Sequence, residues 1–128
     1  MKYFEVPTRT RDQFVNITQQ VQQTVHALGI TEGAVTVFVP HTTCGLTINE
    51  NADPAVVSDM LKQLDVMVPF RQPFYEHSEG NSAAHVKASL MGCSLQVIVT
   101  CGHLELGVWQ GIYLCEFDGP RTRRVWVQ

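Results

Sequence analysis

Apolar residues, aromatic and β-branched, are interleaved with single polar ones along Lys2 to Pro7 (KYFEVP) and Gln13 to Ile17 (QFVNI), short runs that read as strands. The rhythm then lengthens. Val21, Val25 and Leu28 recur at helical spacing behind Thr18, which can cap the helix, and Gly29 stops it. Ala34 to Val39 (AVTVFV) is rich in β-branched residues and closes with Pro40, so it predicts a strand that hands His41 to an edge or loop. Leu46 to Asn49 resumes as a strand, and Asp53-Pro54 opens a second helix with Asp as cap, Pro at the first helical position and Val57, Leu61 and Leu64 as its buried stripe. From Asp65 to Asn81 (DVMVPFRQPFYEHSEGN) no period holds, and the prolines, Phe70, Phe74, Tyr75 and Gly80 mark a long loop of functional character. Ser82 to Met91 predicts a short helix ended by Gly92, and Leu95 to Thr100 another strand. Gly111 to Phe117 and Thr122 to Val127 are strands joined by Asp118-Gly119-Pro120, a turn in which Gly tolerates positive φ and Pro fixes its own.

Many short strands with three inserted helices, in no regular alternation, predict a single antiparallel α+β domain over residues 1–128 rather than a doubly wound sheet. A chain of 128 residues can bury a core without staples. Hydrophobic residues make up 45% and charged residues 16%, which predicts a globular chain with surface to spare for self-association. The formal net charge of -3 argues against nucleic acid, while the local cluster of Arg121, Arg123 and Arg124 suits a small anion. No apolar stretch approaches the ~20 residues needed to span a bilayer. Cys44, Cys93, Cys101 and Cys115 form no C-x-x-C pair and no apolar leader precedes them, so reduced thiols in a cytoplasmic protein are expected.

Three histidines, His41, His77 and His85, lie in or beside loops, whereas His26 sits on a helix face. Three imidazoles could hold one zinc and leave a fourth position for water or substrate, but their spacing is no local motif, and on spacing alone three separately satisfied histidines are the better reading. In EGNSAAHVKASLMG the Gly-Asn-Ser before a helix leaves free N–H groups around Asn81 and Ser82, a natural phosphate or carboxylate pocket that Lys87 could support; plain capping is the alternative. Cys44 could be a nucleophile with His41 as base, or an inert buried thiol. Glu50 and Asp53 could serve as general bases or as partners of a metal-bound histidine, although Asp53 also suits a cap. Gln110 and Glu116 would need partners if buried, and the arginines could pair with such carboxylates instead of with a ligand.

HTTCGLTINENADP, EGNSAAHVKASLMG and LGVWQGIYLCEFDGPR, in this order, resemble the YjbQ family, also called UPF0047, whose members carry the name secondary thiamine-phosphate synthase; the match runs from Phe4 to Val127. The resemblance implies a β-sandwich-like α+β domain, a homotrimer with clefts near subunit boundaries, and a divalent metal, zinc foremost, on His41, His77 and His85. It implies coupling of hydroxymethylpyrimidine pyrophosphate with thiazole phosphate, for which Mg²⁺ would suit the pyrophosphate. The residues expected to carry that chemistry are Glu50, His41 and His85, with Asn49, Asn81, Ser82, Lys87, Gln110 and Arg121 on the phosphorylated substrate. The alternatives are a metal-dependent hydrolase of a small phosphorylated or acyl substrate and a non-catalytic trimeric module that binds an anionic metabolite. Relatives commonly carry alanine at Cys44, which points to a buried structural thiol, and many carry an acidic residue where this chain has Ala83. At His103 relatives tend to carry Arg or Lys.

Overall fold

A computed structural model describes residues 1–128. The elements follow as β1 (Lys2–Pro7), β2 (Gln13–Asn16), α1 (Thr18–Leu28), β3 (Glu32–Phe38), β4 (Cys44–Glu50), α2 (Pro54–Met67), α3 (Ser82–Met91), β5 (Ser94–Thr100), β6 (His103–Leu104), β7 (Gln110–Glu116) and β8 (Thr122–Val127). Every strand pair is antiparallel, in one sheet of order β1-β8-β3-β5-β6 and a second of order β2-β7-β4. The expected α+β class holds.

The period-two pattern decides which side chains meet. Val35, Val37, Val97, Val99, Val125 and Val127 point from the larger sheet into a core shared with Val21 and Val25 of α1 and with Leu46, Ile112 and Leu114 of the smaller sheet. On the other face of β7, Tyr113 and Cys115, with the following Phe117, pack with Phe14 against Leu64 of α2 and Ala84 and Ala88 of α3. β7 is therefore covered on both faces, which is why its sequence is a nearly unbroken apolar run. Each such buried aliphatic side chain contributes roughly 1.5–3 kcal/mol. Glu116 and Arg123 occupy inward positions in this same alternation, and both are buried.

Three local readings change. Thr18 does not cap α1: Ile17 is the N-cap residue, and the Thr18 hydroxyl instead accepts the Ile112 amide at 2.8 Å, tying the helix to β7. α2 extends to Met67, into the stretch that lacked a sequence period, whereas Asp53 caps it as expected by accepting the Ala55 amide at 2.9 Å. β6, two residues long, is too short to leave a periodic signal.

Gly45 lets α3 pack directly on β4, because a Cβ there would stand 2.7 Å from Met91 Cβ and 2.8 Å from the Gly92 carbonyl. That close approach fixes α3 beside the segment carrying His41. No helix is long and apolar enough to cross a membrane.

Candidate functional site

A cleft of about 360 Å³ opens where β4 begins, β7 ends and α3 begins, and none of the residues lining it is hydrophobic. The foundation is a buried ion pair. Arg123, 5% exposed, donates from Nε to Glu116 Oε1 at 2.9 Å and from Nη2 to Glu116 Oε2 and to Thr43 Oγ1, the last at 2.8 Å. Burying two charges costs several kcal/mol unless their remaining hydrogen-bonding capacity is filled. Here it is filled: Glu116 also accepts from Thr8 Oγ1 at 2.8 Å and from the Phe117 and Asp118 amides at 3.1 Å. Burial lowers the Arg123 pKa, but the hydrogen bonds to Glu116 and the nearby negative charge of Glu116 and Asp118 act together to raise it, and the guanidinium stays charged.

On this base sit the lining groups. The turn after β7 is drawn tight, since a Cβ on Gly119 would collide with the Thr10 carbonyl and Glu116. Asp118 at that turn holds the exposed Arg121 through its carbonyl at 2.8 Å and through Oδ2 at 3.0 Å, and Arg121 lines the cleft with guanidinium N–H groups that these two bonds do not use. Asp118 Oδ2 also accepts from Asn81 Nδ2 at 2.8 Å. Asn81 stands at the N-cap position of α3 yet caps nothing, and its Oδ1 is the chain's one buried side-chain polar atom without a partner. His85 lies one turn further along the same helix face, and its ring stands 5.4 Å from that of His77 at an interplanar angle of 77°.

His41 is the decisive group. Its Nε2 accepts the Arg124 amide at 2.9 Å, so in the neutral ring the proton is on Nδ1. Burial, with help from the Arg123 charge, lowers its pKa and favours that neutral form. His41 therefore offers the cleft a donor and has no lone pair left for a metal.

The expected centre on His41, His77 and His85 is accordingly not assembled, although all three line one cleft. No three His, Cys, Asp or Glu side chains gather into a group that could hold a metal ion. Zinc does not fit this donor set.

The other sequence-predicted residues divide. Asn81, Arg121 and the three histidines share the cleft, and Ser82 lies beside it with Tyr75, His77 and His85. Lys87 does not reach it: its ammonium is buried between Asp12 Oδ2, at 2.8 Å, and Asp65 Oδ1. Asn49, Glu50 and Gln110 sit at the opposite end of the β4–β7 ladder, where Glu50 pairs with Gln110 while Cys44 pairs with Glu116. Cys44 is buried, and desolvation pushes its thiol up to about 12, which agrees with an inert side chain. Ala83 is also buried, so it presents nothing to the cleft. Sequence reasoning missed Thr42, Thr43, Glu79 and Asp118 as lining groups. Arg123 was expected in a basic cluster suited to an anion, and the signal for its burial was its alternation with Val125 and Val127 on one face of β8.

The model of the family described as UPF0047 protein YjbQ-like matches residues 2–128. The chain belongs to the UPF0047 family. It is 49% identical to the UPF0047 protein YugU of Bacillus subtilis, over 100% of this chain and 97% of that one. To the UPF0047 protein MJ1081 of Methanocaldococcus jannaschii it is 43% identical, over 98% and 90%. Its fold matches that of an uncharacterised UPF0047 protein of Clostridium acetobutylicum with TM-score 0.96 and 52% identity, covering 100% of this chain and 98% of that one. A YbjQ-like protein of unknown function from Sulfolobus solfataricus matches with TM-score 0.92 and 32% identity, over 98% and 92%.

These UPF0047 relatives correct the expected activity. They are named for their family or described as of unknown function, and none is named as a thiamine-phosphate synthase or other transferase. The divalent metal that the resemblance implied on His41, His77 and His85 has no group to hold it either. The metal-dependent hydrolase reading lacks its metal group for the same reason.

Proposed function

We propose that the cleft binds the oxyanion of a small phosphorylated metabolite directly, through the protein's own hydrogen-bond donors. The observation that carries this reading is the His41 tautomer: with Nε2 occupied by the Arg124 amide, Nδ1–H is a fixed donor beside Arg121. Arg121 adds a charged donor already aligned by Asp118, and charge-assisted hydrogen bonds to phosphate are about twice as strong as neutral ones. The α3 N-terminus, left without a side-chain cap, adds positive potential at the same mouth. Asn81 Oδ1 can accept a hydroxyl or other donor from the ligand. Titration calorimetry with inorganic phosphate, in buffer containing a chelator, tests this. Saturable binding that weakens about tenfold in Arg121→Ala is expected. No binding would refute it.

We also infer a sandwich-like packing of the two sheets and assembly into a homotrimer. Both sheets contribute to one core, and the exposed Tyr3, Ile98, Val108 and Trp109 leave apolar surface for a second copy to cover. Light scattering coupled to size exclusion should give three chain masses; a monomer at micromolar concentration would contradict it.

A further inference from the structure

The aromatic residues of the loop between α2 and α3 take no part in the oxyanion site, yet they build a second hollow against it. This hollow, about 390 Å³, is walled by Phe70, Pro73 and Tyr75, rimmed by Arg71, and shares His77 with the oxyanion cleft. We propose that it is a subsite for a flat ring esterified directly to the bound phosphate, so that the preferred ligand is an aryl or heteroaryl phosphate ester. The inference rests on the oxyanion reading above and names the other half of that ligand.

The junction sets the linkage. A single side chain, His77, borders both cavities, so the two are immediate neighbours and a short ester link is the one proposed between a phosphate in one and a ring in the other. The walls set the shape. The Phe70 and Tyr75 rings are planar and Pro73 is rigid, so they can pack on a flat ring with little loss of side-chain freedom. The Phe70 ring already faces cations, with the Arg11 guanidinium 4.2 Å and that of Arg71 5.3 Å from its centroid. Those guanidinium groups favour an electron-rich ring and would also stack on it. The volume lies within the range of small-ligand pockets.

Calorimetry with four probes tests it: inorganic phosphate, methyl phosphate, n-butyl phosphate and phenyl phosphate. The expected result is phenyl phosphate binding about tenfold more tightly than methyl phosphate. That advantage should vanish in Tyr75→Ala and shrink in Phe70→Ala while methyl phosphate binding stays unchanged; Tyr75 and Phe70 are loop residues, and the two variants check each other. Equal affinity for phenyl and methyl phosphate would overturn the subsite. A butyl ester as tight as the phenyl one would overturn its preference for flat rings. Survival of the phenyl advantage in both variants would place the ring elsewhere and overturn it too. If no probe binds, including inorganic phosphate, the oxyanion reading fails and this one falls with it.

Discussion

The two ends of the β4–β7 ladder both have polar side chains at or beside them and have opposite character. At one end Glu116, Arg123, Thr43 and Thr8 are buried and bond to each other across the two sheets. At the other, roughly 20 Å away at about 3.4 Å per residue, the polar side chains turn back on their own backbone. Asn49 Oδ1 accepts the Glu50 amide at 2.7 Å, Glu50 Oε2 accepts the Asp53 amide at 3.3 Å, and Gln110 Oε1 accepts the Gly107 amide at 2.8 Å. A polar residue held by its neighbours in sequence shapes a turn. Held by residues 80 or 108 positions away, as Thr43 and Thr8 are, it fixes a site.

The largest difference between the ends should appear on deleting a carboxylate from each. Glu116→Ala leaves Arg123 buried without its partner and should cost about 3–5 kcal/mol in urea unfolding, together with phosphate binding. Glu50→Ala should cost under about 1 kcal/mol and leave binding intact, its ion-free bonds being local. Similar costs at both ends would erase the distinction. Next in size, Gly45→Ala pushes α3 off β4 and should cost about 1–3 kcal/mol. Because the same contact sets His85 against His41, phosphate affinity should fall as well; unchanged affinity would mean that the histidines need no such alignment.

Lys87→Met should lower stability by roughly 1–2 kcal/mol, a buried-pair cost discounted for the half-exposed Asp65, with phosphate affinity unchanged. A loss of affinity would return Lys87 to the site. The smallest effect is in the pH dependence. His41 has a folded pKa below its ordinary value because of burial and the Arg123 charge. The unfolded chain then takes up the proton more readily, so the His41 contribution is fully present above about pH 6.5 and is lost as pH falls through the folded pKa. Stability measured by urea unfolding from pH 8 down to pH 5 should therefore decline less in His41→Gln than in wild type. Identical profiles would show that burial does not govern this imidazole.

Much of the fold was legible in local chemistry. β-branched alternation marked β3 and β5, and Asp53-Pro54 marked the start of α2. Boundaries slipped where long-range bonds prevailed, as when Thr18 served the Ile112 amide rather than its own helix. Within the site, the separation of Lys87 from His85 was also present in helical geometry, because two residues turn a helix by roughly 200° and place the side chains on opposite faces. The state of His41 was not legible. It depends on the amide of Arg124, which only the approach of β8 brings within reach. Three histidines in or beside loops suggest a metal until the hydrogen bond to one of them is known.

That hydrogen bond can be observed directly by ring-nitrogen NMR of the protein labelled with ¹⁵N-histidine, at neutral pH with a chelator present. The protonated nitrogen of His41 should be Nδ1, with Nε2 showing the shift of a hydrogen-bonded acceptor, and adding inorganic phosphate should move the Nδ1 signal in a saturable way. A proton on Nε2, or a His41 ring that ignores phosphate and responds only to added zinc, would contradict a cleft that binds its anion through its own donors.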